Sequence, residues 1–192
     1  VWQEREFCKA YPSVGGDLET EVLVIGGGMA GILCARLLQD AGKQVTVVEA
    51  KRIGSAVTAR TTAVLTAQHD MLYQDMITKF GFDTAKAYLH ANLDAVKTFR
   101  KMSQTIPCDF EEKPSIQFTT TSPTRMCKEA KTVQRLGFSA VYQSHAPVLE
   151  EAIGAVVYPG MAQFHPLKFL AGAAKGLKIY ENSRVLDLDG TV

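Results

Sequence analysis

Three glycines and one carboxylate carry the most specific chemical signal in this chain. Gly26, Gly28 and Gly31 spell G-x-G-x-x-G, and Glu49 stands eighteen positions beyond the last of them. In such a turn the first glycine permits a tight bend, the second lets the backbone approach a phosphate, and the third allows close helix–strand packing. A helix that starts inside the turn, here at Met29 and Ala30, aims bare N–H groups and a positive dipole end at the same place. An acid about twenty residues further on accepts hydrogen bonds from ribose hydroxyls. Together these groups would bind a dinucleotide, with the pyrophosphate on the turn and the adenosine ribose on the acid. A carboxylate repels a 2′-phosphate, so FAD or NAD fits and NADP does not.

The flanking sequence provides the elements needed to position those groups. Val22 to Ile25 is a short β-branched run bounded by glycine, which reads as a buried parallel strand. Ile32, Leu33, Leu37 and Leu38 recur at helical spacing from Met29 to about Ala41, and Gly42 is a stop signal. Val45 to Val48 reads as a second buried strand that delivers Glu49 at its end. After Glu49 comes a long, small-residue, hydroxyl-rich connection, Ala50 to Ala63. Such a stretch could drape along a bulky cofactor, and it could equally be a solvated surface loop.

The order G-G-G-M-A-G, V-V-E-A-K-R-I-G-S, T-A-R-T-T-A resembles the D-amino-acid oxidase/glycine oxidase superfamily of FAD-dependent oxidoreductases. Arg60-Thr61-Thr62-Ala63-Val64-Leu65-Thr66-Ala67-Gln68-His69 and Ala162-Gln163-Phe164-His165-Pro166-Leu167-Lys168 are similar to a bacterial branch of it. Some members of that branch append a Rieske-type iron–sulfur domain, whose paired Cys/His ligand spacing has no counterpart here. The resemblance runs along the whole chain but matches only the N-terminal half of such proteins. It implies an α/β fold: a Rossmann-like, glutathione-reductase-like FAD-binding domain with an interleaved α+β substrate domain, incomplete. The implied boundaries are 1–105 for the first part of the FAD domain, 106–163 for the substrate domain and 164–192 for the return.

The resemblance also implies site roles. The loop containing Thr58, Arg60, Thr61, Thr62 and Ala63 would lie along the pyrophosphate and flavin side of FAD, with Ala50 and Lys51 beside Glu49. Val185 would pair its backbone with the adenine edge. The implied activity is oxidation of a C–N bond in an amine or amino acid by hydride transfer to flavin, with oxygen or a carrier as final acceptor. The alternatives are oxidation of a C–O bond in a hydroxy acid or glycerol phosphate, or a flavin-binding fragment without turnover. No residue presents itself as a catalytic acid or base. Neither His nor Cys occurs between Lys51 and Ala67, which points to non-covalent FAD. His69 lies beyond the loop.

With 192 residues, 46% hydrophobic and 21% charged at a net charge of +1, composition is that of a globular protein with no pull toward polyanions or nucleic acid. No apolar run reaches the roughly 18 residues of a membrane helix, and Val1 to Glu6 lacks the order of a signal peptide. Cys8, Cys34, Cys108 and Cys127 form no C-x-x-C, so a metal site is unsupported, and reduced thiols in a cytoplasmic protein are expected.

Elsewhere, residues 1–20 read as an extended arm. Asp70 should cap a helix to about Phe80, Asp83 one to about Met102 with Leu89, Leu93, Val96 and Phe99 inward, and Ser122 one ending at Gly137. Strands are expected around Phe110 to Thr121, at Phe138 to Tyr142, at Gly154 to Tyr158 and over Leu177 to Leu188. His165 precedes a helix with Pro166 in its first turn, a setting for a cap more than for catalysis. His90 has no evident partner. Asp189-Gly190 reads as a hairpin turn lacking its second strand, so an incomplete protein with weak or absent flavin retention, no turnover by itself and a tendency to associate is expected.

Overall fold

The computed structural model describes residues 9–146 and 150–189 and divides into two compact units. Cys8 and Gly190 lie outside the described residues. The first unit comprises Val1–Ala63, Thr105–Asp109 and His165–Val192; the second comprises Val64–Gln104 and Phe110–Phe164.

In the first unit the β-branched runs form a parallel sheet of β1 (Val22–Ile25), β2 (Val45–Val48) and β9 (Lys178–Tyr180), in the order β1-β2-β9. Val24 faces Val47, which faces Ile179. That row packs toward α1 (Met29–Asp40), which in turn meets α5 (Pro166–Ala174). Ile32, Ala35, Val47, Phe169, Leu170 and Ala174 are buried there. The Arg36 guanidinium of α1 donates Nε–H to the Ala173 carbonyl at 3.0 Å, and another N–H to that of Lys175. It thereby satisfies the carbonyls left over at the end of α5.

Two expectations for this unit need correction. β1 is not fully buried, because it lies at the edge of the described sheet: Leu23 and Ile25, on the face away from α1, are 46% and 51% exposed. The strand expected over Leu177 to Leu188 stops at Tyr180. Asn182 adopts φ +49, and the amides of Asn182 and Ser183 turn away to the carbonyls of Lys51 and Glu49. Val185 is therefore in a segment without regular structure rather than in the sheet.

The second unit holds α2 (Tyr73–Phe80), α3 (Phe82–Ser103) and α4 (Thr124–Arg135). Beside them lies an antiparallel sheet in the order β5-β7-β6, of β5 (Ser115–Thr119), β6 (Val141–Gln143) and β7 (Gly154–Tyr158). Three two-residue strands, β3 (Val64–Leu65), β4 (Glu111–Glu112) and β8 (Ala162–Gln163), make a smaller sheet. The boundaries expected from the sequence placed α2 and α3 with the dinucleotide-binding part. They pack instead in this unit, because their apolar stripe, with Tyr73, Leu89 and Val96, shares a core with Met126, Val133 and Tyr158.

The expected helix caps also differ. Asp70 does not cap α2; it sits at φ +60 and accepts hydrogen bonds from its neighbour Met71 N–H and from the Gln117 amide. The cap comes from across the unit: buried Glu129 of α4 accepts from the Tyr73 and Gln74 amides at 2.7 and 3.1 Å. A carboxylate there meets the positive end of the α2 dipole. Asp83 lies within the first turn of α3 and Ser122 precedes the Pro123 cap of α4. His90 does have a partner, the Leu136 carbonyl 3.1 Å from its Nε2, at the end of α4.

Candidate functional site

The glycine turn joins β1 to α1, and its glycines answer different physical demands. Gly26 has φ +109, a backbone region that L side chains rarely adopt, and its amide donates to the Val48 carbonyl at 2.8 Å. Gly28 is the N-cap of α1 in extended conformation, and a Cβ there would meet only Thr58 Oγ1, at 3.6 Å. Gly31 lies in the first turn of α1, where a Cβ would stand 1.9 Å from the Gly26 carbonyl oxygen. The turn is thus open on the outside at Gly28 and closed on the inside at Gly31, as a cradle for a phosphate requires.

Glu49 leaves the end of β2 directly beside this turn. Its Oε2 accepts the Gly27 N–H at 2.7 Å and its Oε1 the Lys51 N–H at 2.8 Å. A carboxylate has about four acceptor sites on its two oxygens, so acceptor capacity remains for sugar hydroxyls. The helix terminus itself carries no acid in its first turn and no cap from Gly28. Thr58 supplies the acceptor there: Met29 N–H donates to its Oγ1 at 3.1 Å. Thr58 is buried in a short 3₁₀ turn, Val57–Arg60, which ends with an exposed Arg60. Thr61 Oγ1 then accepts the N–H of buried Ala63, whose φ is +56, and Thr62 is exposed.

The structure therefore brings Gly26, Gly28, Met29, Ala30, Gly31, Glu49 and Thr58 together around one turn, with Ala50 and Lys51 next in sequence. This donor set fits a dinucleotide: no backbone close over Gly28, a helix N-terminus without its own acid, and a carboxylate alongside. Sequence reasoning missed two participants. Gly27 occupies a free position of the motif, yet a Cβ on it would fall 2.6 Å from Ile53 Cγ2 and 3.1 Å from Glu49 Cβ. Ile53 is the other; its neighbour Gly54 donates to the Gly27 carbonyl at 3.0 Å and so closes the loop over the turn. The middle glycine of the Gly26-Gly27-Gly28 run was the available signal.

His165 takes the role of a cap, its Nδ1 accepting the Lys168 N–H at 3.3 Å with Pro166 opening α5. Among the described residues no group of three or more His, Cys, Asp or Glu could hold a metal ion, and no helix is long and apolar enough to cross a membrane.

A model of the FAD dependent oxidoreductase family matches residues 21–192. The chain belongs to that family. It is 31% identical over 196 residues to a putative Rieske 2Fe-2S iron-sulfur protein of Bacillus subtilis, which covers 97% of this chain and 38% of the relative. Among solved structures it is similar to L-proline dehydrogenase from P. horikoshii, with a TM-score of 0.70 at 21% identity, covering 90% of this chain and 45% of the other. Glycine oxidase from Bacillus cereus gives a TM-score of 0.65 at 20% identity, covering 90% and 49%. At such identities the likeness establishes the fold. The chain spans less than half the length of each of these proteins.

Thr58→Val tests the hydroxyl at the helix terminus. Having accepted from Met29, this hydroxyl still has its own proton to donate outward to a phosphate. The isosteric change is expected to weaken FAD binding about fivefold, the effect of one hydrogen bond. Unchanged or tighter binding in a fluorescence titration would reduce Thr58 to a helix cap.

Proposed function

We propose that this chain forms the adenosine- and pyrophosphate-binding part of an FAD-dependent oxidoreductase that oxidises a carbon–nitrogen bond of an amine or amino acid. The observation that carries the reading is Glu49 lodged at the end of β2 against the Gly26–Gly31 turn. Gly28 leaves room for the pyrophosphate, Met29, Ala30 and Gly31 open the helix beside it, with the Met29 N–H already held by Thr58 Oγ1, and Glu49 accepts from the ribose. Ala50, Lys51, Thr58, Arg60, Thr61, Thr62 and Ala63 line the path onward, and Val185 offers backbone groups to the adenine. When bound, FAD would supply the acceptor for a hydride equivalent, and the substrate, having also lost a proton from nitrogen, would leave as an imine that water hydrolyses to a carbonyl compound and ammonia or an amine. Among the similar structures a glycine oxidase and an L-proline dehydrogenase lend support to an amino-acid substrate, while an L-alpha-glycerophosphate oxidase from Mycoplasma pneumoniae, at a lower TM-score of 0.55, carries the carbon–oxygen alternative. Oxygen or an electron carrier would reoxidise the cofactor, in a cytoplasmic setting.

The test is to titrate the chain with FAD and to screen amines, amino acids and hydroxy acids with a dye acceptor in the protein that contains it. Reduction by hydroxy acids alone would overturn the carbon–nitrogen assignment. Absence of any FAD affinity would overturn the cofactor.

The cofactor is further expected to be held non-covalently, since the loop after β2 carries no His or Cys. Beyond it, His69 Nδ1 is 3.0 Å from the Tyr88 hydroxyl. Acid precipitation should leave the yellow colour in the supernatant, and colour in the pellet would overturn this.

A further inference from the structure

Among the described residues the most deeply buried carboxylates are Glu129, which caps α2, and Glu181, which follows β9; each is 1% exposed. A buried carboxylate is costly unless its oxygens are paired, so its partners indicate what it is there to hold. Glu181 Oε1 accepts the Ile53 N–H at 2.9 Å and Oε2 accepts the Tyr11 N–H at 3.1 Å. Arg52 Nε lies 3.5 Å from Oε2, so the charge is paired as well as hydrogen-bonded. One side chain thus joins the end of β9, the N-terminal arm and the loop that follows Glu49.

That loop is the one that fixes the acid. Ile53 packs against Gly27, whose N–H is held by Glu49, and Gly54 donates to the Gly27 carbonyl. On the other side the Ser183 amide donates to the Glu49 carbonyl at 2.9 Å and the Asn182 amide to that of Lys51 at 2.8 Å. The arm is bound to the same corner: the Glu181 N–H donates to the Pro12 carbonyl at 2.9 Å and the Val14 N–H to Ser183 Oγ at 3.0 Å. The loop is therefore fixed by backbone bonds at both ends, and midway, at Ile53, by the Glu181 side chain.

We infer that Glu181 is a positioning residue for the cofactor acid, its buried carboxylate locking Ile53 so that Glu49 stays seated against the glycine turn. The inference rests on the reading of Glu49 as the group that meets the cofactor. Glu181 reaches the cradle through the Ile53 N–H rather than through Glu49 or the motif glycines. It acts by removing the freedom of the 49–54 loop before binding, so that less order has to be imposed when the ligand arrives. The arm is part of the same device, since Tyr11 shares the carboxylate.

The experiment is a double-mutant cycle on FAD affinity, read by fluorescence titration of the folded chain at a temperature well below its melting point. Glu181→Gln keeps the size of the side chain but turns an NH2 group toward one of two N–H donors. It is expected to weaken FAD about tenfold, by leaving a buried donor unsatisfied and the loop loose. In a Glu49→Ala background the same change should alter affinity by less than about twofold, because the acid it positions is already gone. Leu89→Ala, in the core of the other unit, is the control for general destabilisation and should leave the affinity of the folded chain unchanged. If Glu181→Gln does not fold, Tyr11→Pro is judged by the same criteria; it removes one N–H donor and leaves the carboxylate in place. Loss on Glu49→Ala with parental affinity in Glu181→Gln overturns the inference and leaves the cofactor reading standing. Equal losses from Glu181→Gln in both backgrounds overturn it too, since a general structural role predicts that. Parental affinity in Glu49→Ala, or no FAD affinity in the parent, overturns the cofactor reading and the inference with it.

Discussion

Gly31→Ala is expected to be among the most damaging single substitutions in the first unit, costing about 3 kcal/mol or more and showing as a large fall in melting temperature. The added methyl would stand 1.9 Å from the Gly26 carbonyl oxygen and 3.4 Å from Val24 Cγ1. The obstacle is backbone, which cannot rotate out of the way as a side chain can. Relief requires α1 to lift off β1, and that separates the helix from the Val24–Val47–Ile179 row it covers. Gly28→Ala supplies the contrast. Its methyl would meet only Thr58 Oγ1 at ordinary van der Waals distance, so stability should change by less than about 0.5 kcal/mol. The affinity for FAD should nevertheless fall, because the methyl occupies the space a phosphate needs. Thermal melts and FAD titrations on the two variants separate packing from binding within one motif. A Gly31→Ala protein that melts like the parent would show that the helix is not held where the structure places it.

The local pattern of the dinucleotide unit was legible because each part of it is fixed by near neighbours in sequence. The β-branched runs, the glycines and the stop at Gly42 each determine their own segment, and β1, α1 and β2 follow in order. The position of Glu49 was legible for the same reason: it is the residue after β2. What was not legible depends on partners distant in the chain. Asp70 has the right residue type and spacing to cap α2, but Glu129, more than fifty positions later, takes the amides instead. The apolar stripe of α3 reads as core, and Leu89 and Val96 are buried, yet no stripe states which core it joins, and this one joins that of the second unit. The run from Leu177 to Leu188 has the composition of a strand, and it ends early because Asn182 and Ser183 bond the loop beyond β2 rather than a neighbouring strand. Glu181 gave no signal of its own. A single Glu in a polar stretch reads as surface, and only burial beside two amides and an arginine reveals its role.

Glu49→Ala is expected to have the largest effect on cofactor binding, a loss of about ten- to a hundredfold in FAD affinity, the range for hydrogen bonds to a charged acceptor. Two effects combine. The substitution deletes the acceptor for the ribose hydroxyls, and it also frees the Gly27 and Lys51 amides, which Glu49 holds at 2.7 and 2.8 Å. The loop then loses its seat against the turn at the same time as the ligand loses its partner. Glu49→Gln separates the two. Its side-chain oxygen can still accept from one amide, so part of the loop geometry survives, while the opposite NH2 group faces a donor and the negative charge is gone. It should fall between the parent and Glu49→Ala. Because Glu49 is only half-buried, neither variant should unfold the chain, and circular dichroism on the same samples checks that. Titration with FAD and with NAD side by side also asks whether the carboxylate serves the adenosine half common to both. A shared loss assigns Glu49 to the ribose. Parental FAD affinity in both variants would remove Glu49 from the site and leave the glycine turn without its acid.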